Sequence, residues 1–246
     1  IVTNSVSGDT AEVDLAGNVQ YIRQSKPTLA SASLPSTTLG SGEKVLYRWT
    51  VTADSKGDIG WMRVVFDMSG NITYSSAANT IGCGATNCTA THSVMMSTST
   101  SDIATTPTAL IATSSIKVYD LTNNQQITAS STSAWVTVAN ASGIARITFV
   151  PSAEQVVAAG ETKTYELRGT LLTAGGTGDV LQVKLADVAT GVTTTDYYEA
   201  KTSSANTSFI WSDRSGAAGT HSSASADWTH DYKVSGVPTG TLSLSR

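Results

Sequence analysis

The chain has 246 residues, of which 40% are apolar and 14% are charged, and its formal net charge is −4 at pH 7. This is enough apolar material for one large packed core or two modest ones, which excludes a disordered tail. Ser and Thr supply 71 positions, whereas Lys and Arg supply only 15. Because neutralising phosphates needs clustered cations, this composition excludes a nucleic-acid-binding protein. No apolar run approaches the roughly 18 residues of a membrane span, so none is predicted.

Residues 1–26 precede the first predicted strand, and we interpret them as an N-terminal arm. Within the arm, small or apolar residues alternate with polar ones at Thr10, Ala11, Glu12, Val13, Asp14, Leu15 and Ala16. Such alternation is typical of a strand with one apolar face. The arm is therefore a candidate donated strand, which would pair with the sheet of another copy. The alternative is that it pairs within its own sandwich.

Segments rich in β-branched and aromatic residues follow, separated by Gly, Asn, Ser and Asp turns. They predict seven strands: Thr28–Leu34, Glu43–Ala53, Ile59–Met68, Ile116–Leu121, Arg146–Val150, Thr162–Thr173 and Val180–Ala186. Seven is the number in an immunoglobulin-like fold, so we predict an all-β, immunoglobulin-like antiparallel β-sandwich over residues 27–190. An insertion at 69–115 and a C-terminal extension at 191–246 complete the chain. Trp49, Trp61 and Trp135 lie in strand-like segments and are predicted to be buried.

A Gly-Glu pair followed by a tyrosine occurs twice, ending at Tyr47 and at Tyr165, an offset of 118 residues. One interpretation is two tandem β-sandwich domains. The other is a single sandwich in which both segments are central strands, each entered through a Gly turn and each forming a hairpin with its successor. The order of the predicted strands favours the single sandwich.

Cys83 and Cys88 are five positions apart in a stretch rich in Gly and Asn. A disulfide is favoured over a metal site or a redox centre, because structural zinc needs four ligands and only His92 is near. A bridge that closes so short a loop contributes about 2 kcal/mol. It implies an oxidising compartment, which agrees with a secreted, extracellular protein.

The richest polar cluster lies near the C-terminal end, at Asp213, Arg214, His221, Asp227, His230 and Asp231. Exposed tryptophan rings stack on sugars, so one hypothesis is a ligand contact at Trp211 and Trp228. Another is a metal-dependent hydrolase centred on His221 and His230. The alternative to both is a loop whose two tryptophans plug the edge of the sandwich. No Gly-x-Ser-x-Gly or His-Glu-x-x-His motif occurs, so we predict no catalytic residues, no metal site and no cofactor.

Several stretches resemble the immunoglobulin-like cell-surface proteins of candidate-phyla (Parcubacteria-type) bacteria, an uncharacterised group. They are residues 26–31, 46–53, 57–59, 159–170 and the ending from 209–213 to 227–229. The resemblance covers most of the chain from Lys26 onward. It implies secretion and a cell-surface location, without a defined activity.

Together these features predict a structural protein rather than an enzyme. The leading hypothesis is a secreted subunit of a cell-surface filament, such as a pilus-like fibre, or of a surface layer. Its partners are copies of itself, joined by strand addition between subunits. The alternative is a monomeric adhesin or glycan-binding module, whose partners are surface or host-cell glycans.

Overall fold

The computed structural model describes residues 22–71, 96–97, 111–112, 115–131, 133–139, 144–171, 177–187, 207–215, 220–225, 227–231 and 234–246. Cys83, Cys88 and the strand-like arm residues 10–16 lie outside the described residues. The disulfide and the donated strand therefore stay predictions.

The described residues form strands and no α-helix, which confirms an all-β sandwich. The strands are β1 (Pro27–Ser31), β2 (Gly42–Ala53), β3 (Ile59–Asn71), β4 (Met96–Ser97), β5 (Ile111–Ala112), β6 (Lys117–Asp120), β7 (Gln125–Ile127), β8 (Ala134–Ala139), β9 (Ile144–Phe149), β10 (Gln155–Val157), β11 (Thr162–Leu171), β12 (Val180–Leu185), β13 (Phe209–Ser212), β14 (Trp228–His230) and β15 (Leu242–Ser245). Among these residues there is no helix long and apolar enough to cross a membrane.

The first sheet is organised around β2 and β11, which pair antiparallel along almost their whole length. It has the order β1-β2-β11-β5-β4, with β6 and β7 attached through β11. The two repeated segments are thus neighbouring central strands of one sheet, as the single-sandwich interpretation predicts. Gly42 is the first residue of β2, and Gly160 lies two residues before β11; their φ of 94° and 73° is a left-handed conformation that glycine adopts without strain.

The predicted hairpins between each of these strands and its successor are wrong. β2 belongs to the first sheet, whereas β3 belongs to the second, and β11 and β12 are divided in the same way. The physical reason is that β2 and β3 each bury one face in the same core. Trp49 of β2 meets Phe66 of β3 edge to face, with ring centroids 5.1 Å apart, so the strands face each other across the core.

The second sheet is built on β3, which pairs with four other strands. Val64 pairs with both Phe209 of β13 and Phe149 of β9, so β13 and β9 lie on opposite edges of β3. Beyond β13 lies β14, and beyond β9 lies β8. Across the sheet the order is therefore β14-β13-β3-β9-β8.

The segment predicted as a C-terminal extension contributes three strands, β13, β14 and β15, to this second sheet. The sandwich thus continues well beyond residue 190, because Phe209, Trp211 and Leu244 join the same core as Trp61. The predicted insertion likewise starts inside the sandwich, since β3 continues to Asn71 and β4 and β5 belong to the first sheet.

The core between the sheets contains a run of aromatic rings. Trp49 stacks on Tyr165 at 5.4 Å, and Tyr165 meets Trp61 edge to face at 5.2 Å. The Trp61 indole donates a hydrogen bond of 3.3 Å to the Tyr165 hydroxyl, and burial raises the pKa of that hydroxyl. The predicted burial of Trp49 and Trp61 is confirmed. The side chain of Trp135 lies outside the described part of the chain.

Two edges of the sandwich are covered by other parts of the chain. The Leu29 amide of β1 donates to the carbonyl of Ser235, at 2.8 Å, and Thr38 bridges Ser245 of β15 in parallel. Only glycine fits at position 236, where residues 235–236 lie against β1, because a Cβ there would lie 1.8 Å from the Leu29 carbonyl oxygen. By contrast, β8 pairs only with β9 among the described residues.

Candidate functional site

The outer face of the second sheet carries a small apolar cluster of its own, separate from the main core. It consists of Met62, Ile210 and Trp228. Residues from the connection between β13 and β14 lie over it, and the Trp228 indole donates a 2.8 Å hydrogen bond to the Ser222 carbonyl. The polar residues predicted as a cluster are arranged around this feature.

Trp211 and Trp228, the two predicted ligand contacts, are both buried, with exposures of 0% and 1%. Trp211 lies in the main core and Trp228 in the outer cluster. Stacking on a sugar requires a ring face open to solvent, so the premise of exposed rings is wrong. Both rings are instead packed in the interior, which agrees with the alternative that the two tryptophans plug the edge of the sandwich.

His221 lies between two carboxylates. Its Nδ1 is 2.6 Å from Asp227 Oδ2, and its Nε2 is 3.0 Å from Glu154 Oε2. The side chain is only 10% exposed, and each ring nitrogen is within hydrogen-bond distance of a carboxylate oxygen.

Asp227 is the buried centre of this network. Its carboxylate accepts a 2.7 Å hydrogen bond from Ser212 Oγ and another from Ser225 Oγ, besides the one from His221. Burial alone would raise the pKa of Asp227, but these hydrogen bonds to the charged form outweigh it, and the pKa lies below its usual value. The network therefore holds a carboxylate in its ionised form.

The sequence analysis missed Ser212, Ser225 and Glu154 of this network, and Glu154 lies farthest from the rest along the chain. It lies 67 positions from His221, just before β10, and its side chain occupies the space above Gly60 of β3. A Cβ at position 60 would lie 1.5 Å from Glu154 Oε1. The only sequence signal is a glycine inside a buried strand, which indicates the close approach of another group but does not say which.

The arm is attached to the body at the same place. The Arg23 side chain is 3% exposed and donates a 2.8 Å hydrogen bond to the Asp227 carbonyl. It also forms a 3.4 Å ion pair with the fully buried carboxylate of Asp213, which accepts a 2.7 Å bond from the Gln24 amide as well. Ile22, immediately before, is 95% exposed. We call residues 22–24 the arm root.

Asp231 and His230 belong to a second group beside the first. The Asp231 carboxylate accepts hydrogen bonds from the amides of Ser208, at 2.9 Å, and Phe209, at 2.7 Å, and so fixes the start of β13. Burial lowers the pKa of Arg63, and the charge of Asp231 partly offsets this. His230 is fully buried in β14. The predicted cluster thus divides into one group around Asp227 and another around Asp231.

The arrangement holds segments of the chain together. His221 Nε2, which would have to face a nucleophile in a catalytic pair, faces Glu154. In the described ranges, no group of three or more His, Cys, Asp or Glu side chains could hold a metal ion. The network around Asp227 joins the arm root, the segment before β10 and the β13–β14 connection.

The other candidate site is the edge of β8 that no described residue covers, on the far side of the same sheet from the arm root. β8 has the sequence Ala-Trp-Val-Thr-Val-Ala, six residues without charge or proline. Natural sheets usually protect their edges with charges, proline or a covering segment. An unprotected edge of this length is a site for pairing with another strand.

A comparison with known protein-family models gives no match, and a comparison with curated protein sequences gives none either. The resemblance to bacterial immunoglobulin-like surface proteins stays a prediction. The function is therefore argued from the site itself.

Proposed function

We propose that this protein is a secreted structural subunit of a bacterial cell-surface filament or surface layer, in which the arm of one copy adds a strand to β8 of the next. One observation carries the proposal. The arm root lies beside β13 and β14, at one edge of the second sheet, and the open strand β8 is at the opposite edge.

This placement favours a chain of subunits over a closed pair. A donor at one edge and an acceptor at the other make a heterologous contact, which repeats head to tail and gives an open filament unless the rotation between copies closes a ring. Four strand spacings separate β14 from β8, which is about 19 Å. The 21 residues before Ile22 span up to about 70 Å when extended, so the arm is long enough to reach a neighbour.

β8 is the edge best suited to accept a strand. The edges of β1 and β15 are covered by Ser235 and Thr38. In the described part of the chain, the other strands with an uncovered edge are shorter: β4 has two residues, and β7, β10 and β14 have three each, against six in β8. Because affinity in strand addition comes from main-chain hydrogen bonds, the longer edge offers the larger number.

Deletion of residues 1–16 is the direct test. Imaging by electron microscopy and light scattering should show assemblies for the full chain and only monomers for the deleted one. A point variant, Val13→Asp, should also block assembly by placing a charge on the apolar face of the donor, whereas Thr10→Asp on its polar face is the matched control. Assembly of the deleted protein at the length and yield of the full chain would overturn the proposal.

The same experiment separates the alternatives. A full-length protein that stays monomeric at every concentration, with an arm protected from protease, indicates an arm paired within its own sandwich. A monomer that binds immobilised glycans supports the adhesin alternative instead.

A further inference from the structure

The outer face of the second sheet has a row of charges that ends at β8. Lys184 of β12 pairs in register with Asp67 of β3, Asp67 pairs with Arg146 of β9, and Arg146 pairs with Thr137 of β8. Phe66 and Met68, on either side of Asp67, face the core, so Asp67 faces outward together with its register partners Lys184 and Arg146. We call these four positions the charged row.

Arg146 is the cation of the charged row that lies nearer to β8. Two cations flank one carboxylate, and Arg146 binds that carboxylate through two hydrogen bonds of 2.8 and 3.2 Å. The Arg146 side chain is nevertheless 48% exposed. Beyond it toward β8 the row holds only Thr137, which has no charge.

The arm carries the opposite charge. Residues 1–22 contain Asp9, Glu12 and Asp14 and no Lys, Arg or His, a formal charge of −3. The whole chain has a formal charge of −4, so residues 23–246 account for only −4 − (−3) = −1. Most of the net negative charge of the protein is thus in the segment proposed as donor.

The alternating sequence of the arm would place its acidic side chains on one face of a strand, opposite its apolar side chains. Glu12 and Asp14 are two positions apart and share one face of a strand, whereas Val13 is on the other. When the apolar face turns toward the core, the acidic face lies outward beside the charged row. The donor residue opposite Thr137 is then about 10 Å from the backbone of Arg146, which long side chains can bridge across a threonine. A slip of one residue would reverse both faces and lose the contact.

We infer that Arg146 pairs with the acidic face of the arm of a second copy and so fixes the register of the strand added at β8. This inference rests on the proposed function, since it names the contact that makes the strand addition specific. The charged contact also makes assembly dependent on salt. Dissolved ions weaken the attraction between half-exposed charges, and the Debye length is about 8 Å at physiological ionic strength.

The test compares two neutralised cations of the charged row in the full-length protein. Arg146→Gln should raise the critical concentration for assembly about tenfold at low salt, as expected for the loss of a specific charged contact. Lys184→Gln removes the same charge four strands away from the added strand and should leave the critical concentration within about twofold. Arg146→Lys should restore most of the assembly, and thermal unfolding of each monomer checks the fold.

A charge exchange makes the test independent of monomer stability. The triple variant Glu12→Lys, Asp14→Lys and Arg146→Glu should assemble better than the variant with Arg146→Glu alone. Failure of this rescue, or equal effects of Arg146→Gln and Lys184→Gln in a protein that assembles through its arm, overturns the charge contact and leaves the proposed function intact. Absence of assembly in the unaltered chain overturns both.

Discussion

The sandwich contains two apolar clusters that are built in different ways. The main core uses large rings from both sheets, such as Trp49 of β2 and Trp61 of β3, which are fully buried. Among the described residues, the outer cluster consists of Met62, Ile210 and Trp228, and a charged network around Asp227 lies beside it. The main core holds the fold together, whereas the network beside the outer cluster ties the arm root to the body. This difference predicts which changes unfold the protein and which release the arm.

The largest effect is expected in the main core. Trp49→Ala removes a buried ring in contact with Phe66 and Tyr165 and should lower the free energy of unfolding by about 4 kcal/mol. Trp228→Ala, in the smaller cluster, should cost less. Denaturant unfolding measures both free energies. An equal loss for the two variants would show that the outer cluster contributes as much to stability as the main core.

Breaking the arm root should have the next largest effect. Asp213→Ala leaves the guanidinium of Arg23 buried without its carboxylate and should lower the free energy of unfolding by about 3 kcal/mol. Glu43→Ala breaks the exposed pair with Lys117 and should cost less than about 1 kcal/mol. Limited proteolysis should show faster cleavage near Ile22 in the first variant only; equal cleavage rates would contradict the role given to the arm root.

Substitution of Gly236, which packs against β1, should lower the free energy of unfolding by an intermediate amount. Gly236→Ala combines a φ of 88° with a Cβ that would lie 1.8 Å from a backbone oxygen, so we expect a loss of about 2 kcal/mol. Gly178→Ala has a similar φ of 92° and open space around the added Cβ, so it should cost about 1 kcal/mol from the backbone conformation alone. Thermal unfolding compares them, and a reversed order would contradict the tight crossing of β1 by residues 235–236.

The smallest effect concerns pH. Because the pKa of Asp227 is lowered in the folded protein, its contribution to stability is complete above the unfolded pKa of about 3.9 and is lost as pH falls through the folded pKa. Ser212→Ala removes one of the hydrogen bonds that lower the pKa and should cost about 1 kcal/mol at neutral pH. The variant should lose less further stability on acidification than the unaltered protein; identical pH profiles in urea unfolding would contradict this.

The sequence predicts the long strands well because their patterns are local. β2 was predicted at Glu43–Ala53 and lies at Gly42–Ala53, since alternating residues bury one face of it. Alternation does not reveal which sheet a strand joins, so the β2–β3 hairpin was predicted wrongly. β13 is buried at all four residues and therefore shows no alternation to detect. Glu154 depends on a contact across 67 positions, which no local pattern contains.

The position of β3 in the chain has a consequence for the order of folding. β3 ends at Asn71, but its partners β9, β10, β12 and β13 lie between Ile144 and Ser212. Such distant pairings cost loop-closure entropy before they contribute stability, so folding is slow compared with that of proteins dominated by local contacts. A growing chain cannot complete the pairing of β3 until residue 212 has been synthesised, and the second sheet also needs β14 and β15, which end at residues 230 and 245. Until then, β3 is an apolar segment that the cell must keep apart from other unfolded chains.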